Sequence, residues 1–402
     1  MPSNESGMLL GPVSYLDCIV FCIFLTPQLI WQVGIVETIC CVLKALPFFL
    51  LELPVGFFRD RFFTPRENQS LFNQRSSPFE DFVIRCIRHA FRNVPAKIGR
   101  VFFSKEVALP FLWFRLLRHG YFRCPIHWRE HREKSFKGLW IIKDPQKKPD
   151  LVLYYVHGGG FSMGSTYFYL EFLLTWLSVL SESGYQNPAI FALEYTLIPD
   201  AAYPIQLEEA TKAYEHVLEV AEDPSIVCVS GDSAGATLIL CLLLHLGERG
   251  PKYQHRLPRP GLAILISPWV TLISTRHKNT ANDYLDVEQL HQYGTQFAGD
   301  RMAETDPLVS PGCCKDIAWW KRSCPAKGIF ITYGDAEVFA PEIEGLIELL
   351  QEADAIVGSK VEQGGIHAWP VASLFLSSSL DGRLDGLRTI TKEIRQRVPQ
   401  QR

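Results

Sequence analysis

Six short runs rich in branched and aromatic residues set the strongest limit on what this chain can fold into. They are LWIIKD (139–144), LVLYYV (151–156), AIFALEY (189–195), IVCVS (226–230), LAILIS (262–267) and GIFITY (328–333). They are continuously apolar rather than alternating, so each must be covered on both faces. Longer stretches of helical periodicity separate them, such as YPIQLEEATKAYEHVLEVAE (203–222) and ATLILCLLLHLGERG (236–250). This succession predicts an α/β domain over residues 139–402, with a mostly parallel sheet between two helical layers. Residues 270–325, richer in polar residues and aromatics, interrupt the alternation and read as an insertion above the sheet.

The chain before this domain has a different texture. Between Asp17 and Glu37 lie 19 uncharged residues, CIVFCIFLTPQLIWQVGIV, about the length that crosses a bilayer. A second apolar stretch around ALPFFLLELPVGFF ends at Arg59 and Arg61. No basic stretch precedes the first run and no small-residue cleavage site follows it, which argues for a retained anchor over residues 1–63 rather than a cleaved signal. Residues 64–138 read as helices and loops, with SPFEDFVIRCIRHAFRNV (77–94) carrying helical spacing. The expectation is a membrane protein crossing once, in the endoplasmic reticulum, with the side of the catalytic domain open.

Charge is unevenly placed. Net charge is -3, but residues 59–148 carry 20 Lys/Arg against 8 Asp/Glu. This gives no global sign of a nucleic-acid protein; it fits a cytosolic body behind an anchor, contact with anionic lipid, or a solvated basic face. Sequons at Asn4 and Asn68 matter only if those segments are lumenal. Eleven cysteines without paired spacing do not form a disulfide framework. Cys40 and Cys41 are either acylation sites near a membrane or idle thiols.

The chemistry centres on Gly231-Asp232-Ser233-Ala234-Gly235. An apolar strand ends at Gly231 and a helix begins just after Ser233, the strand-turn-helix of a nucleophile elbow. The turn is tight enough to demand small neighbours, which Gly231 and Gly235 supply. A serine nucleophile needs a base held by an acid, in the chain order Ser, Asp/Glu, His. Among His245, His255, His277, His291 and His367, only His367 follows a late strand-like segment through a glycine-rich loop. Asp335, directly after GIFITY, is the expected acid, with Glu337 the nearest competitor.

A second glycine cluster, YYVHGGGFSMGST (154–166), admits three readings. A phosphate loop needs a lysine where Ser165 stands, and a dinucleotide loop needs a glycine one residue before Gly164. An oxyanion hole needs only bare backbone N–H groups beside the reacting carbonyl. Gly159 and Gly160, with the N–H of Ala234, meet that requirement. His157 then anchors the loop, and Gly158 belongs to the same element. CPIHWREH, with His127, Glu130 and His131, matches an inverted zinc-peptidase motif but lacks its long apolar helix, so no metal is expected.

With these residues in order, the chain resembles the hormone-sensitive-lipase-like branch of the α/β-hydrolases, specifically its fungal, membrane-anchored members of the steryl acetyl hydrolase type. HGGGF (157–161), EYTLIPDAAYPIQLEEA (194–210), GDSAGA (231–236), ISPWV (266–270), DPLVSP (306–311), GDAEVF (334–339) and GIHAWP (365–370) carry the resemblance. It implies an α/β-hydrolase fold with a helical cap, Ser233 as nucleophile, Asp335 as acid, His367 as base, and oxyanion donors at Gly159, Gly160 and Ala234. It also implies a serine carboxylic-ester hydrolase that needs no metal or organic cofactor and acts on an apolar ester, an acetylated sterol or a secondary metabolite. Acyl transfer and lactone opening use the same triad, and a silent small-molecule receptor would have no need of the histidine. The usual Y-R-L-A-P element reads Tyr195-Thr196-Leu197-Ile198-Pro199, so pocket details do not carry over. Oligomeric state is open.

Overall fold

The computed structural model describes residues 8–248 and 257–399; Asn4 and His255 lie outside the described residues. Its centre is an eight-stranded sheet in the order β1-β2-β4-β3-β5-β6-β7-β8. The strands are β1 (His127–Arg132), β2 (Lys137–Ile142), β3 (Leu151–Val156), β4 (Pro188–Leu193), β5 (Val227–Asp232), β6 (Leu262–Ile266), β7 (Ile329–Gly334) and β8 (Val357–Glu362). β1 and β2 are antiparallel to their neighbours, and every pairing from β4 to β8 is parallel. β3, β4, β5, β6 and β7 are buried along their whole length, as continuous apolar runs require.

The two faces are closed by different helices. Ile205–Ala221, Ala234–Gly247 and Ala340–Glu352 pack on one. Leu170–Glu182 and Leu380–Arg397 pack on the other. The helix Ala234–Gly247 is apolar all round because it is buried all round. This arrangement is the α/β-hydrolase fold expected from the sequence. The sheet begins earlier than residue 139, however. β1 is HWREHR, whose charged side chains hide a strand that needs only an edge and one neighbour; Trp128 and His131 are its half-buried residues.

The N-terminal region holds two apolar helices of spanning length where the sequence suggested one crossing. They are Tyr15–Gln32 and Ile35–Phe63, and length and composition alone make them candidates. Neither stands apart from the body. At the start of the first, Asp17 is fully buried and its Oδ2 lies 3.3 Å from Arg115 Nη1, with Arg118 on the same oxygen. Arg115, itself 0% exposed, reaches the catalytic domain through paired contacts to Glu171 of 2.7 and 2.8 Å. One guanidinium thus joins the first apolar helix, the helix Lys105–Arg118 and the helix Leu170–Glu182.

Removing that guanidinium strands buried carboxylates. Arg115→Met is expected to lower the free energy of unfolding by about 3–5 kcal/mol. Denaturant titration measures this, and an unchanged midpoint would contradict the tie.

Candidate active site

The elbow is built from the sequence outward. β5 ends at Asp232, and the helix Ala234–Gly247 starts one residue after Ser233, which is left at φ 51, ψ -122. That conformation is costly for a side-chain residue and survives only where its surroundings fix it. Here the Ser233 N–H donates to the Ile266 carbonyl at 3.0 Å, and its carbonyl accepts from Thr237 and Trp269. A Cβ at Gly235 would collide with the carbonyl oxygens of Val156 and His157, so only glycine lets the helix approach β3 this closely. Ser233 is 6% exposed, and the helix N-terminus favours negative charge beside its hydroxyl.

The glycine loop faces this elbow. Gly159 and Gly160 take φ of 113 and 60, and a Cβ at Gly159 would strike the Met163 backbone. Gly158 is held by its own N–H, which donates to Asp232 Oδ1 at 2.9 Å. The N–H groups of Gly159, Gly160 and Ala234 make no hydrogen bond among the described residues, so they are free to receive a ligand oxygen. His157 lies beneath the loop, fully buried, with Nδ1 donating to the Gly158 carbonyl at 2.8 Å and its ring stacked on Tyr195 at 4.5 Å. This is an anchor's position.

Asp232 ties loop and elbow together. Tyr155 and Tyr169 donate to its two oxygens at 2.6 and 2.7 Å, alongside the Gly158 N–H. Burial raises its pKa, and these donors oppose the rise. The sequence placed Asp232 inside the motif without a task, because its partners lie 63 to 77 residues away.

Next to the elbow, Ser267 follows β6 at φ 45. Its Oγ donates to Glu337 Oε2 at 2.7 Å and accepts from the Ala368 N–H at 2.9 Å. One hydroxyl therefore joins the turn after β7 to the turn after β8. His367 lies there, 2% exposed, with Nδ1 3.7 Å from Glu337 Oε2. Nδ1 and Glu337 Oε1 are both buried without a hydrogen-bond partner among the described residues. Such contacts commonly tighten only around a bound reactant.

The structure places the expected acid, Asp335, away from His367. Asp335 is exposed, and its Oδ1 accepts from the Gly364 N–H at 2.6 Å, away from the histidine ring. The reason is the path of the turn. Asp335 directly follows Gly334, the last residue of β7, while its chain is still leaving the sheet. Two residues later the turn has curled inward, and Glu337, 2% exposed, faces His367. Burial pushes the Glu337 carboxyl up to about 8, opposed by the Ser267 hydroxyl and the Gly334 N–H. Burial lowers the pKa of His367, while the charges of Asp283 and Asp232 oppose the fall.

Asp283, in the insertion, is a second buried carboxylate with no sequence signal. Its Oδ1 accepts from the His367 N–H at 3.2 Å and its Oδ2 from the Val338 N–H at 2.8 Å. It pins the turns after β7 and β8 to the insertion. Aromatic walls surround the space: Phe339 and Tyr284 approach His367 edge-on at 5.1 and 5.8 Å, and Trp269 stacks on Phe339.

The remaining histidines are accounted for elsewhere. His245 contacts Glu248, and His277 and His291 face each other. In the peptidase-like motif, His127 and His131 lie on one face of β1 and Glu130 on the other, where it pairs with Lys105. His131, Glu133 and His216 do come together. Trp140 Nε1 donates to His216 Nε2 at 3.2 Å, however, which keeps the imidazole proton on Nδ1, the atom facing Glu133. The cluster is a hydrogen-bonded aromatic stack.

Comparisons with known proteins bear on the family and the fold. The profile described as Steryl acetyl hydrolase matches residues 123–382. A putative steryl acetyl hydrolase, mug81, of Schizosaccharomyces pombe is 26% identical over 270 residues, covering 63% of this chain and 70% of its own. Steryl acetyl hydrolase 1 of Saccharomyces cerevisiae is 25% identical over 248 residues, covering 57% of this chain and 55% of its own. A crystal structure of an esterase from the bacterial hormone-sensitive lipase family superposes with a TM-score of 0.63 at 22% identity, covering 80% of this chain and 99% of the esterase. That last likeness bears on the fold alone. The chain belongs to the steryl acetyl hydrolase family of ester hydrolases.

Proposed function

We propose that the chain is a serine carboxylic-ester hydrolase in which Ser233 attacks, His367 moves the proton and Glu337 orients the imidazole. The observation that carries this is the 3.7 Å approach of Glu337 to His367 Nδ1. It leaves the opposite ring nitrogen to serve the serine. His367 Nε2 takes the Ser233 proton as Oγ adds to the ester carbonyl. The oxyanion is received by the N–H groups of Gly159, Gly160 and Ala234, each typically worth about 100- to 1,000-fold in rate. The imidazolium then protonates the departing alcohol. Water, deprotonated by the same ring, frees the acyl group.

The substrate class follows from the walls and from the family. Phe339, Tyr284 and Trp269 gather beside His367, which suits an apolar alcohol, and the relatives' names point to acetyl esters of sterols. The two apolar helices fit attachment to a membrane, where such an ester dissolves.

Hydrolysis of short p-nitrophenyl esters tests the assignments. Ser233→Ala is expected to abolish turnover. Glu337→Gln should reduce kcat by about 1,000- to 10,000-fold, the scale seen when a triad acid is replaced by its amide and the imidazole loses its tautomer. Asp335→Asn should stay within about threefold of wild type, as an exposed substitution does. Equal losses in the Glu337 and Asp335 variants would overturn the choice of acid.

The pH profile gives a second check. His367 acts as base only when neutral, so kcat/KM should rise with pH, with a midpoint below the ordinary histidine value because burial disfavours the charged ring. The charges of Asp283 and Asp232 favour the protonated ring, so Asp283→Asn should move this midpoint to still lower pH. A shift to higher pH would contradict that influence.

A further inference from the structure

We infer that the N-terminal helices lie flat in one leaflet of an anionic bilayer rather than crossing it, and that this lipid-facing layer borders the active-site cap. The inference deepens the membrane attachment proposed above and rests on it.

The helix Ile35–Phe63 has polar contacts to the body at both ends. Near its start, Glu37 pairs with Lys97 at 3.0 Å. At its middle, Phe48 stacks on His89 at 3.9 Å. Near its end, Asp60 pairs with Arg85 at 3.1 Å, and Arg61 bonds to the Ser76 carbonyl at 2.9 Å and to Asp81. From residue 37 to residue 61 the helix rises about 36 Å, more than the hydrocarbon thickness of roughly 30 Å. A crossing helix would therefore place Lys97 at one surface and Arg85 and Asp81 at the other, and would draw His89, midway between them, into the hydrocarbon. Those residues belong to the helices Pro78–Asn93 and Ala96–Phe102.

The helix Pro78–Asn93 is in turn fixed to the catalytic domain. Arg88 Nε donates to the Asp283 carbonyl at 2.8 Å, Arg92 approaches Asp286 at 3.5 Å, and the Phe91 ring packs edge-on against Tyr293. Tyr293 is the residue a Cβ on Gly160 would touch. The first helix, Tyr15–Gln32, is held in the same way: Asp17 is buried in the Arg115 contact, and Phe21 meets Phe111 at 5.1 Å.

The opposite face of these helices is apolar and exposed. Val42, Leu46 and Leu50 recur at helical spacing with 55%, 39% and 67% of their surface open. Trp31 and Phe63, at the helix ends, are the aromatic residues that settle at a headgroup boundary. One face on protein and the other apolar is the pattern of an in-plane helix. Charge selects the lipid. Exposed Glu52 and Glu67 are outweighed beside the apolar face by exposed Lys44, Arg59 and Arg66.

Sidedness tests the geometry in the full-length chain. Gln32→Cys, at the turn between the helices, and Arg66→Cys, past the second, are each labelled with a membrane-impermeant maleimide in sealed microsomes against the wild-type background. Both should react from the side on which protease reaches the catalytic domain. Reaction of Gln32→Cys only after detergent opens the vesicles would establish a crossing and overturn the inference. Flotation tests the surface. Wild type should bind phosphatidylcholine vesicles containing about 30% phosphatidylserine roughly tenfold better than phosphatidylcholine alone. Val42→Glu/Leu46→Glu/Leu50→Glu should fail to float while hydrolysing a soluble p-nitrophenyl ester like wild type. A triple variant that floats normally, or a wild type indifferent to phosphatidylserine, would overturn the surface. Loss of ester hydrolysis in wild type itself would instead count against the proposed enzyme.

Discussion

The close approach of Gly235 to the carbonyl oxygens of Val156 and His157 is the contact on which the rest of the site depends. It lets the helix after Ser233 press against the end of β3, which forces the serine into its strained turn. The same contact brings the loop that leaves β3 alongside the elbow, so Gly158 can be caught by Asp232. The proposed oxyanion donors and nucleophile are thus products of one packing event between neighbouring parallel strands. Any side chain at residue 235 would disturb both together.

The residues proposed as acid and base are held by a second set of buried polar contacts, one strand further along. Ser267 joins the turns after β7 and β8, and Asp283 reaches down from the insertion to hold the same two turns through Val338 and His367. These groups are costly to bury and each is hydrogen-bonded, which is how a polar network fixes one arrangement. Because Asp283 also receives the helix Pro78–Asn93 at its carbonyl, the N-terminal layer, the insertion and the turns after β7 and β8 form one connected structure.

The core of the fold was legible in the sequence because parallel strands buried on both faces have little choice of residue. The six apolar runs fall on β2 to β7, within a residue or two at their ends. β1 was not legible, since an edge strand can carry HWREHR on its pleat without penalty. The elbow and glycine loop were readable because each demands glycine at fixed places. The acid was harder: both Asp335 and Glu337 follow β7, and only the curl of the turn decides which carboxylate meets His367. Asp283 left no trace, because its importance lies in contacts 55 and 84 residues away. The N-terminal helices show a related gap. Hydropathy registers their apolar faces, whereas the ion pairs with Lys97, Arg85 and Arg115 exist only once the chain is folded.

The central claim is that Ser233 is a nucleophile activated within this network. Labelling of the full-length protein with a fluorophosphonate, followed by mass spectrometry of the modified peptide, tests it most directly. The account predicts a single covalent adduct on Ser233 that disappears in His367→Ala. An unlabelled wild-type protein, or an adduct on another residue, would contradict it.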